Sequence, residues 1–308
     1  MKKKELTKDE LIKKLKRDNI RFQIEIAALF ICLLALFFFN YNYTIFKILM
    51  AGNYTDTAAL DTISTQTLGE DSGGNYYKNF DNMTIAVFMD RLYETNGDTF
   101  TMLFRRGGLK EEHEHMESDS EQTVFKMLDD NTGMLTLTTF SGITDNILNE
   151  NLDDMKSCKS LVIDLRDNPG GILKQADKAA ELFLPEGSII AQYNYRSSSL
   201  SSVSCSKNTS PLEYDSIYIL QNENTASAAE VFINALRDNL NNVTVIGSTS
   251  YGKGIGQTEM KLLNGYGIKA TTLDILTPNG SSINHSGIKP DVETDNADKY
   301  IENTVIYR

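Results

Sequence analysis

Short apolar runs alternate with amphipathic segments along residues 133–246, and this rhythm is the strongest constraint on the fold. The apolar runs predict buried strands, and the segments between them have the spacing of helices. The predicted strands are 134–138, 161–165, 217–220 and 243–246, and the predicted helices are 145–155, 172–184 and 226–238. Such alternation is typical of a layered α/β structure. The serine-rich stretch 197–210 interrupts it and predicts an exposed loop or hairpin.

The N-terminus joins a basic segment to a long apolar run. Residues 1–21 have a net charge of +5, whereas the remainder of the chain totals −17. Residues 26–46 contain no charged side chain, and as a helix they would span about 31 Å, enough to cross a bilayer core. Because lysine and arginine concentrate on the cytoplasmic side of a span, we expect a single-pass protein of the cell membrane with a cytoplasmic N-terminus and an extracytoplasmic body. A cleaved signal peptide and a buried core helix are the alternatives.

The acidic body argues against several partners and cofactors. Its negative charge repels phosphate backbones, so nucleic acid is not an expected partner. His113 and His115 lie among glutamates, and we interpret this run as a solvated charged surface because no further ligands follow at usable spacing. Cys158 and Cys205 do not form a zinc or disulfide framework, and their pairing stays open. No metal or other cofactor is expected.

The segment 247–254 approximates the phosphate-binding loop GxxxxGK[ST] after an apolar strand. Gly254 replaces the hydroxyl residue that would coordinate magnesium. Residues 255–258 alternate with glycine instead of opening a helix whose positive end could hold phosphate. Both departures disfavour nucleotide binding.

Ser227 and Lys253 are the candidate reactive pair. Ser227 follows a predicted buried strand at the first turn of a helix, where amides and the helix dipole favour a developing alkoxide. An ordinary N-cap, with Glu230 completing a capping box, is the structural alternative. Lys253 stands between glycines and can act as a base only if burial lowers its pKa from about 10.4 to roughly 7 or 8. Gln257 is close enough in sequence to orient the amine.

Two further positions complete the local analysis. Gly170 and Gly171 follow a buried strand, where paired glycines permit a sharp bend and expose amides that can bind an oxyanion. Asp238 shares a predicted helix with Ser227 but lies about 16 Å away along its axis, so direct contact is excluded. We therefore assign Asp238 a structural role.

The body resembles the C-terminal processing peptidases, also called tail-specific proteases, whose fold is shared by Clp-type proteases and crotonases. The matching segments are 161–171, 226–230, 251–257, 276–280 and 287–291. They occur in the family's order and cover residues 133 to about 292. The resemblance implies an α/β, Clp protease/crotonase-like catalytic domain.

The resemblance also implies a mechanism and a mode of substrate binding. Ser227 corresponds to the nucleophile, Lys253 to the general base and Gln257 to the residue that orients the lysine. The oxyanion donors would be backbone amides of Ala228 and of Gly170 or Gly171. A protein or peptide substrate would lie beside the site as an added strand.

The expected organisation has four parts. These are a cytoplasmic basic segment (1–25), a transmembrane helix (26–46), a stalk with a small truncated PDZ-like module (52–115) and a peptidase domain (116–308). Residues 61–63 and 83–108 resemble the later part of a PDZ domain, but too few residues precede them for its first strands.

The expected function is that of a membrane-anchored serine endopeptidase that cleaves extracytoplasmic proteins or peptides. Cleavage near the C-termini of these substrates is part of the expectation. A catalytically silent peptide-binding scaffold or regulator is the main alternative, and an acyl-CoA enzyme of crotonase architecture is a remote one. The sequence leaves the oligomeric state open.

Overall fold

Two β-sheets organise the body of the chain. The computed structural model describes residues 8–39, 49–50, 54–56, 58–59, 82–118, 124–262 and 265–306. The helices are α1 (Lys8–Phe39), α2 (Asn82–Asn96), α3 (Gly108–Ser118), α4 (Thr144–Glu150), α5 (Leu152–Ser157), α6 (Leu173–Glu181), α7 (Ala228–Asn239) and α8 (Ala297–Ile301). The strands are β1 (Met102–Phe104), β2 (Val124–Met127), β3 (Thr132–Thr136), β4 (Ser160–Asp164), β5 (Ile189–Tyr195), β6 (Ser202–Cys205), β7 (Ser216–Gln221), β8 (Val243–Gly247), β9 (Ile255–Lys261), β10 (Gly267–Leu276) and β11 (Val292–Glu293).

The first sheet has six strands in the order β11-β8-β7-β4-β3-β2. Its strands run parallel except for β2, which pairs antiparallel with β3. In the second sheet, β10 pairs antiparallel with β9 along one edge and with β1 and β5 along the other, and β6 extends β5. The first sheet carries the connection from β7 into α7, and the second carries the loop before β9.

The main core lies between the first sheet and helices α6 and α7. Helix α7 is buried along most of its length, from Ala228 to Leu236. Phe232 on this helix packs against the rings of Phe140 and Phe183, with centroid distances of 5.8 and 6.0 Å. Because such close-packed aromatic contacts resist displacement, the start of α7 is held rigidly at the carboxyl end of β7.

The alternation predicted for the body is confirmed, with two local differences. The predicted helix 145–155 is divided into α4 and α5, because the backbone at Asn151 leaves the helical region. The serine-rich stretch contributes β6, which makes a hairpin with β5. Cys158 is buried, Cys205 is exposed, and neither forms a disulfide.

Helix α1 joins the predicted basic segment and the start of the predicted span in one continuous helix. Across the described ranges, no helix combines the length and apolar character that membrane crossing requires. Residues 40–46 of the predicted span lie outside the described ranges.

The region before the peptidase body packs on the second sheet. Side chains from the described residues before α2 and from α2 itself form an apolar cluster against β9 and β10: Leu49, Met50, Tyr54, Ala59, Met89, Leu92, Leu262, Ile268 and Ala270. The PDZ-like character of this region and the predicted domain limits stay predictions, and residues 61–63 fall outside the described ranges.

Helix α3 carries the glutamate and histidine run, in which Glu111, His113 and Glu114 are exposed as predicted, but two side chains of the run also reach the second sheet. Glu112 accepts a hydrogen bond of 2.6 Å from Lys269 on β10, and His113 Nε2 lies 2.7 Å from a carboxylate oxygen of Glu259 on β9. Sequence alone could not find these partners, because they are about 150 residues away in the chain. The run therefore attaches α3 to the second sheet.

Candidate active site

Ser227 occupies a strained turn between β7 and α7. Its backbone angles are φ 57° and ψ −117°, and its residue surface is 8% exposed. An ordinary N-cap residue has β-region angles, so the simple capping interpretation does not account for this conformation. A non-glycine residue held in such a region costs about 1–3 kcal/mol, and sharp strand-to-helix turns of this kind present nucleophilic serines in hydrolases.

The carboxylate of Glu230 joins this turn to the lysine loop. Glu230 is fully buried and accepts four hydrogen bonds. The donors are the Ser227 amide (2.8 Å), the Ser250 hydroxyl (2.6 Å), the Gly252 amide (2.7 Å) and the Lys253 amide (2.8 Å). Hydrogen bonds to a buried anion are strong, so one side chain fixes the backbones of both predicted catalytic residues.

The role of Glu230 could be predicted only in part. The sequence indicated a capping box, and the bond from the Ser227 amide to the Glu230 carboxylate is one half of that motif. The bonds to residues 250–253 depend on how the two sheets meet, for which the local sequence holds no signal.

The amine of Lys253 lies in a partly dehydrated environment. The pKa of Lys253 is lowered to about 8, chiefly by burial and also by the nearby positive charge of Lys269, while neighbouring carboxylates oppose the change. The Lys253 Nζ atom lies 4.2 Å from the centroid of the Phe100 ring. These surroundings bring the amine close to the protonation equilibrium that a general base needs near neutral pH.

The side chains of Ser227, Lys253 and Gln257 are not hydrogen-bonded to one another. Within the described part of the chain, Lys253 Nζ makes no hydrogen bond to Ser227 Oγ or to Gln257. Gln257 lies on β9 opposite Thr271, and its buried Nε2 atom has no hydrogen-bond partner there. The structure thus places the two loops together and leaves the proton-transfer contact unformed.

Gly170 and Gly171 approach the serine turn closely. Their φ angles are +104° and +126°. A Cβ atom at Gly170 would lie 2.8 Å from the Ala228 nitrogen and from Ser227 Cβ, and one at Gly171 would lie 2.3 Å from the Phe140 oxygen. Both positions therefore require glycine for conformation and for space.

Asn168 distinguishes between the two glycine amides that the sequence left open. Its buried side chain accepts a hydrogen bond from the Gly170 amide (2.8 Å) and donates one to the Leu137 carbonyl (2.8 Å). Among the residues with defined positions, the amides of Gly171 and Ala228 have no hydrogen-bond acceptor. These two amides are the donors left for an oxyanion.

Asp238 has the structural surroundings predicted for it. At the far end of α7 it accepts hydrogen bonds from Asn279 and Thr277, and burial raises its pKa. It therefore holds the turn after β10 and takes no direct part in the site.

The nucleotide-binding alternative conflicts with the lysine loop. The amides of Gly252 and Lys253 bind Glu230, so they cannot cradle a phosphate. Ile255 begins strand β9, whereas a phosphate-binding loop would lead into a helix. In the ranges that the structure describes, no group of three or more His, Cys, Asp or Glu side chains is arranged to hold a metal ion.

Comparison with known sequences agrees with these features. The profile of peptidase family S41 matches residues 131–294, more than half of the chain. The carboxy-terminal processing protease CtpA of Bacillus subtilis (strain 168) is 36% identical over 180 residues, which cover 56% of this chain and 37% of that protein. A probable CtpA-like serine protease of Staphylococcus aureus (strain N315) is 36% identical over 168 residues, which cover 53% and 33%. The chain thus spans about a third of the length of these curated relatives.

Comparison with solved structures supports the fold. A lipoprotein from Streptococcus agalactiae superimposes with a TM-score of 0.61 at 17% identity, covering 80% of this chain and 93% of that chain. A putative peptidase from Parabacteroides merdae gives a TM-score of 0.51 at 22% identity, covering 76% and 81%. At these identities only the fold is shared. The resemblance to C-terminal processing peptidases predicted from the sequence is confirmed by the family profile and by the curated relatives.

Proposed function

The chain belongs to peptidase family S41, and from that premise we propose that it is a serine endopeptidase with a dyad of Ser227 and Lys253. One observation carries this proposal above the others. The buried carboxylate of Glu230 binds the amides of both residues, so a nucleophile and a base lie in one site. The alternative of a silent scaffold gives no reason for a strained serine beside a lysine with a lowered pKa.

The proposed reaction proceeds through an acyl-enzyme. The neutral amine of Lys253 accepts the proton of the Ser227 hydroxyl as the oxygen attacks the substrate carbonyl carbon. The resulting oxyanion accepts hydrogen bonds from the amides of Gly171 and Ala228. The Lys253 ammonium then gives its proton to the departing amine, and the same lysine later activates the water that releases the acyl group. Gln257 would orient the amine once substrate is bound.

The protonation state of Lys253 is suited to this cycle. With a pKa of about 8, roughly one molecule in ten carries a neutral amine at pH 7. A solvated lysine with a pKa of about 10.4 would be neutral in fewer than about one molecule in a thousand. Burial therefore increases the reactive population by a factor of hundreds.

We propose a protein or peptide substrate that binds as an added strand, because main-chain hydrogen bonds suit an enzyme acting on extended chains. The names of the curated relatives support cleavage near a carboxy terminus. We also propose that the apolar run 26–46 attaches the chain to a membrane with the peptidase body on the extracytoplasmic side. The basic residues before this run support that orientation.

The test is proteolysis by the purified full chain in detergent. An unfolded protein is the substrate, and its fragments are identified by mass spectrometry. We expect cleavage by the wild type and its loss, by at least about a thousandfold, in Ser227→Ala and in Lys253→Met. Ser210→Ala and Lys261→Met change exposed residues away from the site and serve as matched controls that retain activity. Binding of the unfolded protein without cleavage would favour the scaffold and overturn the proposal.

A further inference from the structure

The ring beneath the Lys253 amine comes from outside the region that matches the family profile. Phe100 lies between α2 and β1, whereas the matched region begins at residue 131. Its ring centroid is 4.2 Å from Lys253 Nζ. An aromatic face attracts an ammonium ion through its quadrupole and offers no comparable attraction to a neutral amine. Phe100 thus favours the protonation state that cannot act as a base.

Phe100 is held in place by a tight turn centred on Asp98. One carboxylate oxygen of Asp98 accepts hydrogen bonds from the amides of Phe100 (2.9 Å) and Thr101 (3.0 Å). The other accepts from the Thr101 hydroxyl (2.6 Å) and from the Tyr54 hydroxyl (2.8 Å). The Thr271 hydroxyl adds a fifth bond to this carboxylate (3.3 Å). Five bonds leave the turn little freedom, so the ring position is set by the fold.

The same turn is attached to the sheet beside the catalytic loop. The amide of Thr271 donates to the Thr101 hydroxyl (3.0 Å), and Thr271 lies opposite Gln257 in the pairing of β9 with β10. The segment before α2 joins this attachment, because the amide of Thr55 donates to the Thr271 carbonyl (3.2 Å). The N-terminal region therefore places an aromatic ring at a fixed distance from the base.

We propose that Phe100 is a positioning residue. It holds the Lys253 amine as an ammonium ion, apart from the Ser227 hydroxyl, until a bound substrate displaces the amine from the ring. This inference rests on the proposed function, because it assigns Phe100 a task in the same site. It agrees with the unformed contact between Lys253 and Ser227. If Phe100 only packed against the lysine, replacing its ring by an aliphatic side chain would leave the pKa of Lys253 unchanged.

Other charges also act on this amine, and the test must keep them constant. The charged groups that face it are Lys269 on β10, Glu112 on α3, Asp98 in the turn before β1 and Glu230 on α7. All four remain in the variants chosen here. Phe104→Leu is the matched control. Phe104 lies on the same segment of chain as Phe100, but its ring is 5.9 Å from the Lys269 amine.

The deciding measurement is an NMR titration of the full chain in detergent, labelled with ¹³C,¹⁵N-lysine and free of substrate. The Lys253 signal is assigned by its loss in Lys253→Met. In the wild type we expect ring-current displacement of the Lys253 side-chain methylene protons to high field. In Phe100→Leu this displacement disappears and the titration midpoint falls by about 0.5–1 pH unit, whereas Phe104→Leu leaves both unchanged.

Several outcomes would overturn the inference. If the wild type shows no ring-current displacement, the inference is wrong even if Phe100→Leu fails to fold. If Phe100→Leu folds and its titration midpoint is unchanged, the inference is also wrong. Since these readouts need no substrate, they stand whether or not the chain cleaves proteins. In an active chain, Phe100→Leu should also raise cleavage at pH 6.5 by about three- to tenfold, and an unchanged or lower rate would contradict the inference.

Discussion

The serine side and the lysine side of the site are built in different ways. Ser227 lies between a parallel strand and a buried helix, and the strained backbone around it is set by packing within the body. Lys253 lies on a loop before an antiparallel strand, and its amine is surrounded by side chains from α3, β10 and the Phe100 turn. The two backbones share Glu230, but the two reactive atoms have separate supports.

Because of this difference, the serine side of the site is rigid, whereas the protonation of the lysine depends on its surroundings. The serine turn and the glycine amides form one rigid unit, since a shift of one would force a shift of the others. The protonation of the lysine depends in part on groups outside the matched peptidase region, such as Asp98 and Glu112. We therefore expect variants on the serine side to abolish the reaction, and variants on the lysine side to tune it unless they remove the amine.

Glu230→Gln should have the largest combined effect on stability and activity, because it affects both sides of the site at once. The glutamine side chain offers only one acceptor oxygen. Its NH₂ group would face backbone and hydroxyl donors that now bind the carboxylate. We expect a loss of about 2–4 kcal/mol in the free energy of unfolding and at least a hundredfold loss of activity. Urea unfolding and proteolysis assays check both quantities. Glu223 is an exposed glutamate that accepts a hydrogen bond from Ser248, so Glu223→Gln should change little. Equal effects of the two variants would show that Glu230 has no special role in the site.

Gly170→Ala tests the rigid unit on the serine side. The added methyl group would lie 2.8 Å from the Ala228 nitrogen, so the serine turn, which carries the Ala228 amide, must shift relative to the Gly171 amide. We expect kcat to fall by about a hundredfold. Gly187→Ala is the matched control, because Gly187 has φ +86° but nothing within 4 Å of the added carbon. If both substitutions reduce kcat equally, backbone strain alone explains the effect and the close approach does not matter.

Lys253→Met should separate activity from stability. Cleavage is lost with the amine, yet the free energy of unfolding at pH 7 should rise by about 1–3 kcal/mol, because a buried charge is removed. The folded state binds fewer protons than the unfolded state between pH 8 and 10.5, so wild-type stability rises with pH across this window. The stability difference between variant and wild type should therefore shrink as the pH rises. Denaturant unfolding at several pH values measures it, and a variant less stable than the wild type at pH 7 would contradict the expected burial cost.

The pH dependence of catalysis should show the smallest effect, about tenfold between pH 7 and the plateau. Activity requires the neutral amine, so kcat/KM should rise with pH with a midpoint of about 8 in the free enzyme. A series of initial rates between pH 6 and 10 at constant ionic strength gives the midpoint. A flat profile across pH 7–9 would mean that Lys253 does not titrate as the base.

Features encoded in contiguous residues were predictable from the sequence. The strands around residues 163 and 219, the buried helix after Ser227 and the bend at Gly170 follow from local periodicity and glycine content. The division of the predicted helix at Asn151 was missed, since apolar spacing continues across it. The candidate pair and its oxyanion donors stay predictions, and the preference for Gly171 over Gly170 needed the side chain of Asn168.

The supports of the lysine could not be predicted for a physical reason. Phe100 is 153 positions from Lys253, and Lys269 and Glu112 approach it only through the pairing of β9 with β10 and the attachment of α3. Burial of an amine is a property of the assembled fold, whereas the sequence showed only that glycines permit it.

The most direct test of the central claim is to trap the acyl-enzyme. A peptide ester is mixed with the full chain, the reaction is acid-quenched within the first turnovers, and the protein mass and modified residue are determined by mass spectrometry. The account predicts an acyl adduct on Ser227 in the wild type and at least a hundredfold slower formation in Lys253→Met. An adduct on another residue, or undiminished acylation of Ser227 in Lys253→Met, would contradict it.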